Sequence, residues 1–359
     1  MQHATCNSQH ATQRTGFTTG TCAAAAAKAA AMLLDGLSAP EAVTVTLPDG
    51  SQVKLPISFT SLTDRTARAG VKKDAGDDPD VTDGCLIIAE VTRQAGPGIE
   101  LMAGEGVGTV TKPGLQIPPG QPAINPIPRM MIRQAVAEVT SDPMAVVISI
   151  PGGADLAQKT FNPRLGVVGG LSILGTSGIV RPFSHAALTA ALKCALNVAV
   201  SCRVASPIFV PGRIGAKAAA RHFKFSPEQL IEVSNEWGFM LYAAASENFA
   251  RLLVLGHPGK LAKLINGDWD THSSRSQSAI PLVTRMTSEI CSLTLPDHIT
   301  MEGLFDALTP PDRAAVAKAV AADIGRAVAH KIGGRYPVTT ALVNTRGDLL
   351  GTDGDLTHW

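Results

Sequence analysis

Between residues 23 and 31 every position except Lys28 is alanine, and the run follows directly on Arg14-Thr-Gly-Phe-Thr-Thr-Gly-Thr-Cys22. A helix with so little side-chain bulk lies unusually close to whatever it packs on. That closeness constrains everything around it. Thr18 or Thr19 caps the helix, because a hydroxyl accepts from the orphan amides of the first turn. Gly16 and Gly20 allow backbone to approach backbone. Gly36, after Leu33, Leu34 and Asp35, is the stop. The amino end of such a helix also suits an anionic group, through its unpaired amides and dipole.

Apolar residues make up 45% of the 359 and charged residues 17%, so a large core is available. Lys plus Arg (31) nearly balances Asp plus Glu (30), and aromatics are 4%. Neither the charge nor the stacking surface of a nucleic-acid binder is present. Six scattered cysteines without CxxC spacing argue against a disulfide framework and against a zinc site. No metal site is assigned. The polar amino terminus lacks the apolar run of a signal peptide, and the alanine run is too weak to span a membrane. A reduced, cytoplasmic protein without membrane or nucleic-acid partners is expected, with a homo-oligomer left open.

Residues 1–13 read as a disordered amino terminus. Val43–Leu55 alternates on both sides of Asp49-Gly50, a hairpin signal. Cys85–Val91 and Ala145–Ile150 read as strands, and Gly104–Thr111 as a short strand or edge. Pro113–Pro128 is an extended loop, with Pro128 in the first turn of a helix. From about residue 163 the pattern alternates. Leu165–Val168, Pro207–Val210, Leu252–Leu255 and Thr339–Val343 read as strands. Ser184, Ser226 and Thr309 open helices, the second with a stripe of Leu230, Val233, Trp237 and Leu241. The expected architecture is an α+β domain over 14–160, then an α/β domain over 161–359 with a mostly parallel, Rossmann-like sheet.

Three glycine-rich turns follow predicted strands: Gly169-Gly170 leading to Gly175-Thr176-Ser177-Gly178, Pro211-Gly212-Arg213-Ile214-Gly215, and Gly256-His257-Pro258-Gly259. Ligand crevices of open parallel sheets lie beyond the carboxyl ends of strands, so three such turns are candidates to line one site. None is a GxGxxG or P-loop sequence. The acidic run Asp74 to Asp80, with Asp83, reads as a divalent-cation loop, a general base or a solvated turn. Asp268–Arg275 gathers acid, imidazole, hydroxyl and guanidinium groups. It reads as a polar loop in which Arg275 holds a carboxylate, or as a cap and salt-bridge loop. Lys112 and Arg129 sit on rigid loops, facing an anion or merely shaping the proline-rich connection.

Blocks in this order resemble one family, the cobalt-precorrin-5B C1-methyltransferases. They are Arg14–Ala30, Val71–Thr82, Thr111–Leu115, Pro122–Pro126, Phe161–Gly166, Ile173–Pro182, Gly259–Leu264 and Asp270–Arg275, across roughly residues 14–280. The resemblance departs at Val210–Gly215, where two glycines after a Thr-Thr strand end are expected. It implies methyl transfer from S-adenosylmethionine to C1 of a cobalt-corrinoid ring in cobalamin biosynthesis. Read with it, Gly169, Gly170, Gly175, Thr176, Ser177, Gly212, Gly256 and Gly259 are candidates for the cofactor. Thr18, Thr19, Thr21, Lys72, Lys112, Arg129, Arg181, Lys260 and Arg275 are candidates for the ring carboxylates. Asp77, Asp78 or His272 is expected to remove a proton. The other readings are a small-molecule kinase with a Gly/Thr phosphate turn and an acidic magnesium loop, or a non-catalytic tetrapyrrole- or nucleoside-binding protein.

Overall fold

The computed structural model describes residues 13–293 and 300–359. Most of the expected amino-terminal disorder and the residues Cys6, His3 and His10 lie outside the described residues. The chain is a mixed α/β protein that divides into two compact units, Met1–His185 and Ala186–Trp359.

The first unit opens with β1 (Gly16–Phe17) and α1 (Thr19–Leu34). The hairpin β2 (Ala42–Thr46) and β3 (Gln52–Pro56) follows, turning at Gly50 with φ 85°. Next come β4 (Phe59–Leu62), β5 (Thr66–Lys72), β6 (Leu86–Arg93), β7 (Ile99–Ala103) and β8 (Thr109–Val110). Then α2 (Pro126–Ala137), β9 (Met144–Ser149), α3 (Gly153–Ala157), β10 (Val167–Val168) and β11 (Ile179–Val180) complete it. Its main sheet has the order β4-β5-β6-β9-β7, antiparallel except where β7 runs parallel to β9.

Every residue of α1 from Thr19 to Ala31 is buried except Lys28. A helix apolar all round belongs inside a core. Here its methyls meet Ala67 and Ala69 of β5 and Ala89 of β6 in the same core. Small residues on both sides bring helix and sheet close. Lys28, the one polar side chain in the run, donates to the Thr44 carbonyl (2.8 Å) and the Glu138 carboxylate (2.6 Å). It thereby joins the hairpin to the end of α2. Gly36 closes the helix in the left-handed region, φ 83°.

The second unit contains α4 (His185–Ser201), β12 (Ile208–Val210), α5 (Arg213–His222), β13 (Leu230–Glu232), α6 (Trp237–Ala245), β14 (Leu252–Gly256) and α7 (Pro258–Leu261). After them come α8 (Ile280–Cys291), α9 (Met301–Asp306), α10 (Pro310–Lys331), β15 (Val338–Val343) and β16 (Leu349–Asp353). The sheet order is β13-β12-β14-β15-β16; all pairs are parallel except the edge pair β15–β16. Alternation sorts the strands into two faces. Phe209, Val254 and Leu342 point to a core built with α6 and α10. Val210, Leu255 and Val343 point to the opposite face, covered by Ala218 and Ala219 of α5.

Three expectations shift. The unit boundary falls after His185, not near residue 160, because 161–182 pairs backward: β10 with β8, and β11 with β1. The strand expected at Leu165–Val168 shrinks to two residues, and Val168 is 58% exposed. The helix expected from Ser226 becomes a 3-10 turn over Pro227–Gln229 with the capping box intact, then β13, then α6. Parallel pairing of Leu230 and Ile231 with Ile208 and Phe209 overrides the helical stripe.

Replacing Ala27 by leucine forces a larger side chain between α1 and its neighbours. It is expected to destabilise by about 1–3 kcal/mol, read as a lower urea midpoint at unchanged slope.

Candidate active site

In the first unit the opening stretch, the acidic loop and the 172–178 loop form one knot. The Phe17 amide donates to Asp74 O (2.8 Å) and the Asp77 amide to Arg14 O (2.9 Å). A Cβ on Gly16 would lie 2.1 Å from the Ala75 carbonyl carbon, and one on Gly76 would lie 2.2 Å from Arg14 O. Only glycine permits that approach.

The carboxylates of the loop serve it one by one. Asp77 accepts from the Arg14 amide (2.7 Å), Asp78 from the Phe183 amide (3.0 Å) and Asp83 from the Ala75 amide (2.8 Å); Asp74 pairs with Arg14. Asp80 accepts from the Lys73 ammonium at 2.8 Å. Among the described residues no group of three or more His, Cys, Asp or Glu could hold a metal ion.

The three threonines are buried. Thr18 caps α1, accepting from the Thr21 amide (3.2 Å), and the Thr21 hydroxyl donates to Gly178 O (2.7 Å). The Thr19 hydroxyl accepts from the Leu174 amide (2.9 Å), and the Gly20 amide donates to Leu174 O (3.0 Å). The anion-type position at the helix start is therefore filled by the 172–178 loop. Gly175, at φ 135°, would place a Cβ 2.4 Å from the Thr18 hydroxyl. The consequence is a fixed loop from which Thr176 and Ser177 face solvent. Gly169 is exposed, while Gly170 packs backbone against Gly106.

Among the cations, Lys72 and Arg181 are exposed. Lys112 lays its stem on Gly166. Arg129 turns inward, donating to Ile124 O (2.6 Å) and Pro122 O (3.0 Å). Burial, then the Arg133 charge, holds its pKa below the ordinary value. Arg129 thus staples the proline-rich loop to α2.

In the second unit β12, β13, β14 and β15 end on one side, and the functional candidates collect there. The β12 end leads into Gly212, with φ 157° and ψ −155°, at the cap of α5. No atom lies within 4 Å of a Cβ placed on Gly212. By contrast, a Cβ on Gly256 would meet Pro211 at 2.8 Å, and one on Gly215 would meet Leu255 O at 2.9 Å. Two glycines are thus required by internal packing, while Gly212 opens outward in a conformation reserved for glycine.

Lys260, after β14, donates to Asn235 Oδ1, after β13, at 2.9 Å. Since β12 lies between those strands, this bond crosses over its carboxyl end. Burial, then the Lys263 charge, lowers the Lys260 pKa. The Thr271 hydroxyl donates to the same Asn235 oxygen (3.2 Å), and the buried Lys263 donates to Thr271 O and Ser276 Oγ.

His257 accepts from the Gly259 amide at Nδ1 (3.1 Å) and meets the Glu302 carboxylate at Nε2 (2.9 Å). Those partners select the tautomer with the proton on Nε2. Glu302 also accepts from the Thr345 hydroxyl (2.9 Å). Burial pushes its carboxyl up, but the His257 and Thr345 hydrogen bonds outweigh that and hold it below the ordinary range. In the 268–275 loop, Arg275 pairs with Asp270 (2.6 Å), and the His272 imidazole meets Ser274 (2.7 Å) rather than a carboxylate.

The sequence reading had put three glycine turns on one sheet. Those at Gly212 and Gly256–Gly259 follow neighbouring strands of the second unit's sheet, while the 169–178 turn belongs to the first unit. Asn235, His257 and Glu302 escaped the sequence reading. His257 stood inside a quoted turn, but its partner Glu302 lies on α9, where no local pattern points.

Parallel strands that end in glycine turns on one side are the build of an α/β domain whose ligand crevices lie beyond the strand ends. The CbiD family model matches residues 6–182. A cobalt-precorrin-5B C(1)-methyltransferase of Syntrophotalea carbinolica is 52% identical over 96% of this chain and 98% of its own. One of Moorella thermoacetica is 40% identical over 95% of both. The crystal structure of a cobalamin biosynthesis protein (CbiD) from Archaeoglobus fulgidus is 29% identical, with 73% of this chain and 83% of that one covered at a TM-score of 0.40. The chain belongs to the CbiD family of cobalt-precorrin-5B C(1)-methyltransferases.

The Lys73–Asp80 pair makes a stability prediction. The Lys73 side chain is 1% exposed and that of Asp80 25%. Burial raises the Asp80 pKa, but Lys73 and the Thr82 amide and hydroxyl outweigh it, so the net shift is downward. The stabilisation is full above the unfolded value of about 3.9 and is lost as pH falls through the lower folded value. Asp80→Asn leaves the ammonium without its carboxylate. It is expected to cost about 3 kcal/mol at pH 7, the low end for a buried pair, and to flatten the acid limb of stability against pH in urea titrations.

Proposed function

We propose that the chain transfers a methyl group from S-adenosylmethionine to C1 of cobalt-precorrin-5B, giving cobalt-precorrin-6A. The observation that carries this is the 52% identity to a named enzyme over nearly the whole of both chains. A cytoplasmic location goes with it; among the described residues no helix is long and apolar enough to cross a membrane.

The sulfonium supplies an already electrophilic methyl carbon, so the protein's task is mainly to position two ligands and balance charge. The open Gly212 turn fits the donor, and we place the donor there and at Gly256 and Gly259. The second unit's sheet is, on this reading, a Rossmann-like binding domain. The 169–178 loop, with Gly169, Gly170, Gly175, Thr176 and Ser177, leaves no parallel strand and is kept out of the donor site on this reading. Thr18, Thr19 and Thr21 hold that loop in place. Lys260 and Arg275, on the same unit as the donor, serve the ring's acetate and propionate groups, while Arg129 supports the proline-rich loop of the first unit. His272, exposed on a loop, is the candidate to accept a proton; Asp77 and Asp78 each already hold a backbone amide. The phosphate-binding requirement of a kinase meets a helix start whose Gly20 and Thr21 amides are engaged.

Anaerobic incubation with cobalt-precorrin-5B and S-adenosylmethionine is expected to give one S-adenosylhomocysteine per corrinoid methylated at C1. Corrinoid binding without S-adenosylhomocysteine would overturn the assignment. In the same assay Lys260→Met is expected to raise KM for the corrinoid about tenfold, the loss of one charged hydrogen bond, with kcat nearly unchanged.

A further inference from the structure

We infer that Glu232 is the ribose acceptor of an adenosine-binding crevice at the carboxyl ends of β12 and β13, an inference that rests on the donor reading above. Glu232 is the last residue of β13 and stands in register with Val210, the last of β12. Ile231 points to the core shared with α6 and α10. Alternation therefore sends Glu232 to the other face, the one that carries Val210 and α5. The outward-opening Gly212 caps the amino end of that same α5. Carboxylate and open glycine thus share one face and one sheet edge.

The strand order adds a second, independent argument. From β12 the chain passes to β13 on one side and then to β14 on the other. Doubly wound sheets bind their ligands where the order reverses in this way, beyond the carboxyl ends. In nucleoside-binding versions an acidic residue about 20 residues past the first glycine turn accepts from ribose hydroxyls. Glu232 stands at that distance from Gly212. An ionised carboxylate is acceptor-only, which suits the two O–H donors of a cis-diol. The Lys260–Asn235 bond closes over the end of β12 and gives the crevice a polar boundary.

The test is calorimetric titration of S-adenosylhomocysteine and its 2′,3′-dideoxy analogue into the full chain, wild type, Glu232→Gln and Glu232→Ala. Wild type is expected to bind the dideoxy analogue about 10- to 100-fold more weakly. The variants are expected to bind S-adenosylhomocysteine more weakly by a similar factor and to distinguish the two ligands little. Wild type binding both ligands equally overturns the inference without any variant. Variants that still discriminate as wild type does also overturn it, and the donor reading stands in both cases. Failure of wild type to bind S-adenosylhomocysteine at all overturns the donor reading and this inference together.

Discussion

The buried, side-chain-poor surface of α1 is the contact on which the first unit depends. With little beyond Cβ atoms from Thr19 to Ala31, the helix brings its backbone close to β5 and β6, where Ala67, Ala69 and Ala89 answer it. Packing of this kind gains little per residue from bulk. It gains from density, since each methyl has neighbours on all sides. The same proximity carries the amino end of the helix into the middle of the unit, where its amides have no water to meet. They must then find protein acceptors. That requirement explains the threonines: Thr18, Thr19 and Thr21 tie the helix start to Leu174 and Gly178. A loop 150 residues away in sequence is thereby fixed, about as firmly as a helix cap can fix it.

Glycine performs opposite tasks at different positions. Gly16, Gly76 and Gly170 are needed because another backbone occupies the space a Cβ would take. Gly212 has no such neighbour, and its conformation is one other residues avoid. A glycine kept in such a conformation without crowding points outward for its explanation. On the reading proposed above the donor's place rests on Gly212, with the close-packed Gly256 beside it.

What was legible in the sequence was what is decided locally. The cap and stop of α1, the hairpin at Asp49-Gly50 and α10 between Thr309 and the glycines at 333 and 334 all appear as read. Each rests on signals within a few residues. The 226–241 stretch failed because its stripe is compatible with a helix, and only pairing to β12 selects a strand. The acidic loop was legible as a cluster but not as a clasp. Its partner is the backbone of residues 14–17, some sixty positions earlier. The 169–178 turn was assigned to the wrong unit for the same reason: β11 pairs with β1. Of the candidate site, the glycines and Lys260 were readable, whereas Glu232 and the His257–Glu302 pair needed strand order and a distant helix.

On the reading proposed above, methyl transfer to a ring carbon from a sulfonium makes modest demands on reactive side chains. Several of the groups first read as chemical are engaged in holding backbone. Asp77 and Asp78 take amides, and Arg129 takes carbonyls. A protein whose polar groups are largely positioning groups is suited to a reaction limited by the placement of two ligands. The quoted family blocks are then understandable as geometry more than as reagents. Arg14–Cys22 matters because it fixes where Thr176 and Ser177 stand. The acidic loop matters because it holds Arg14–Phe17 through backbone hydrogen bonds.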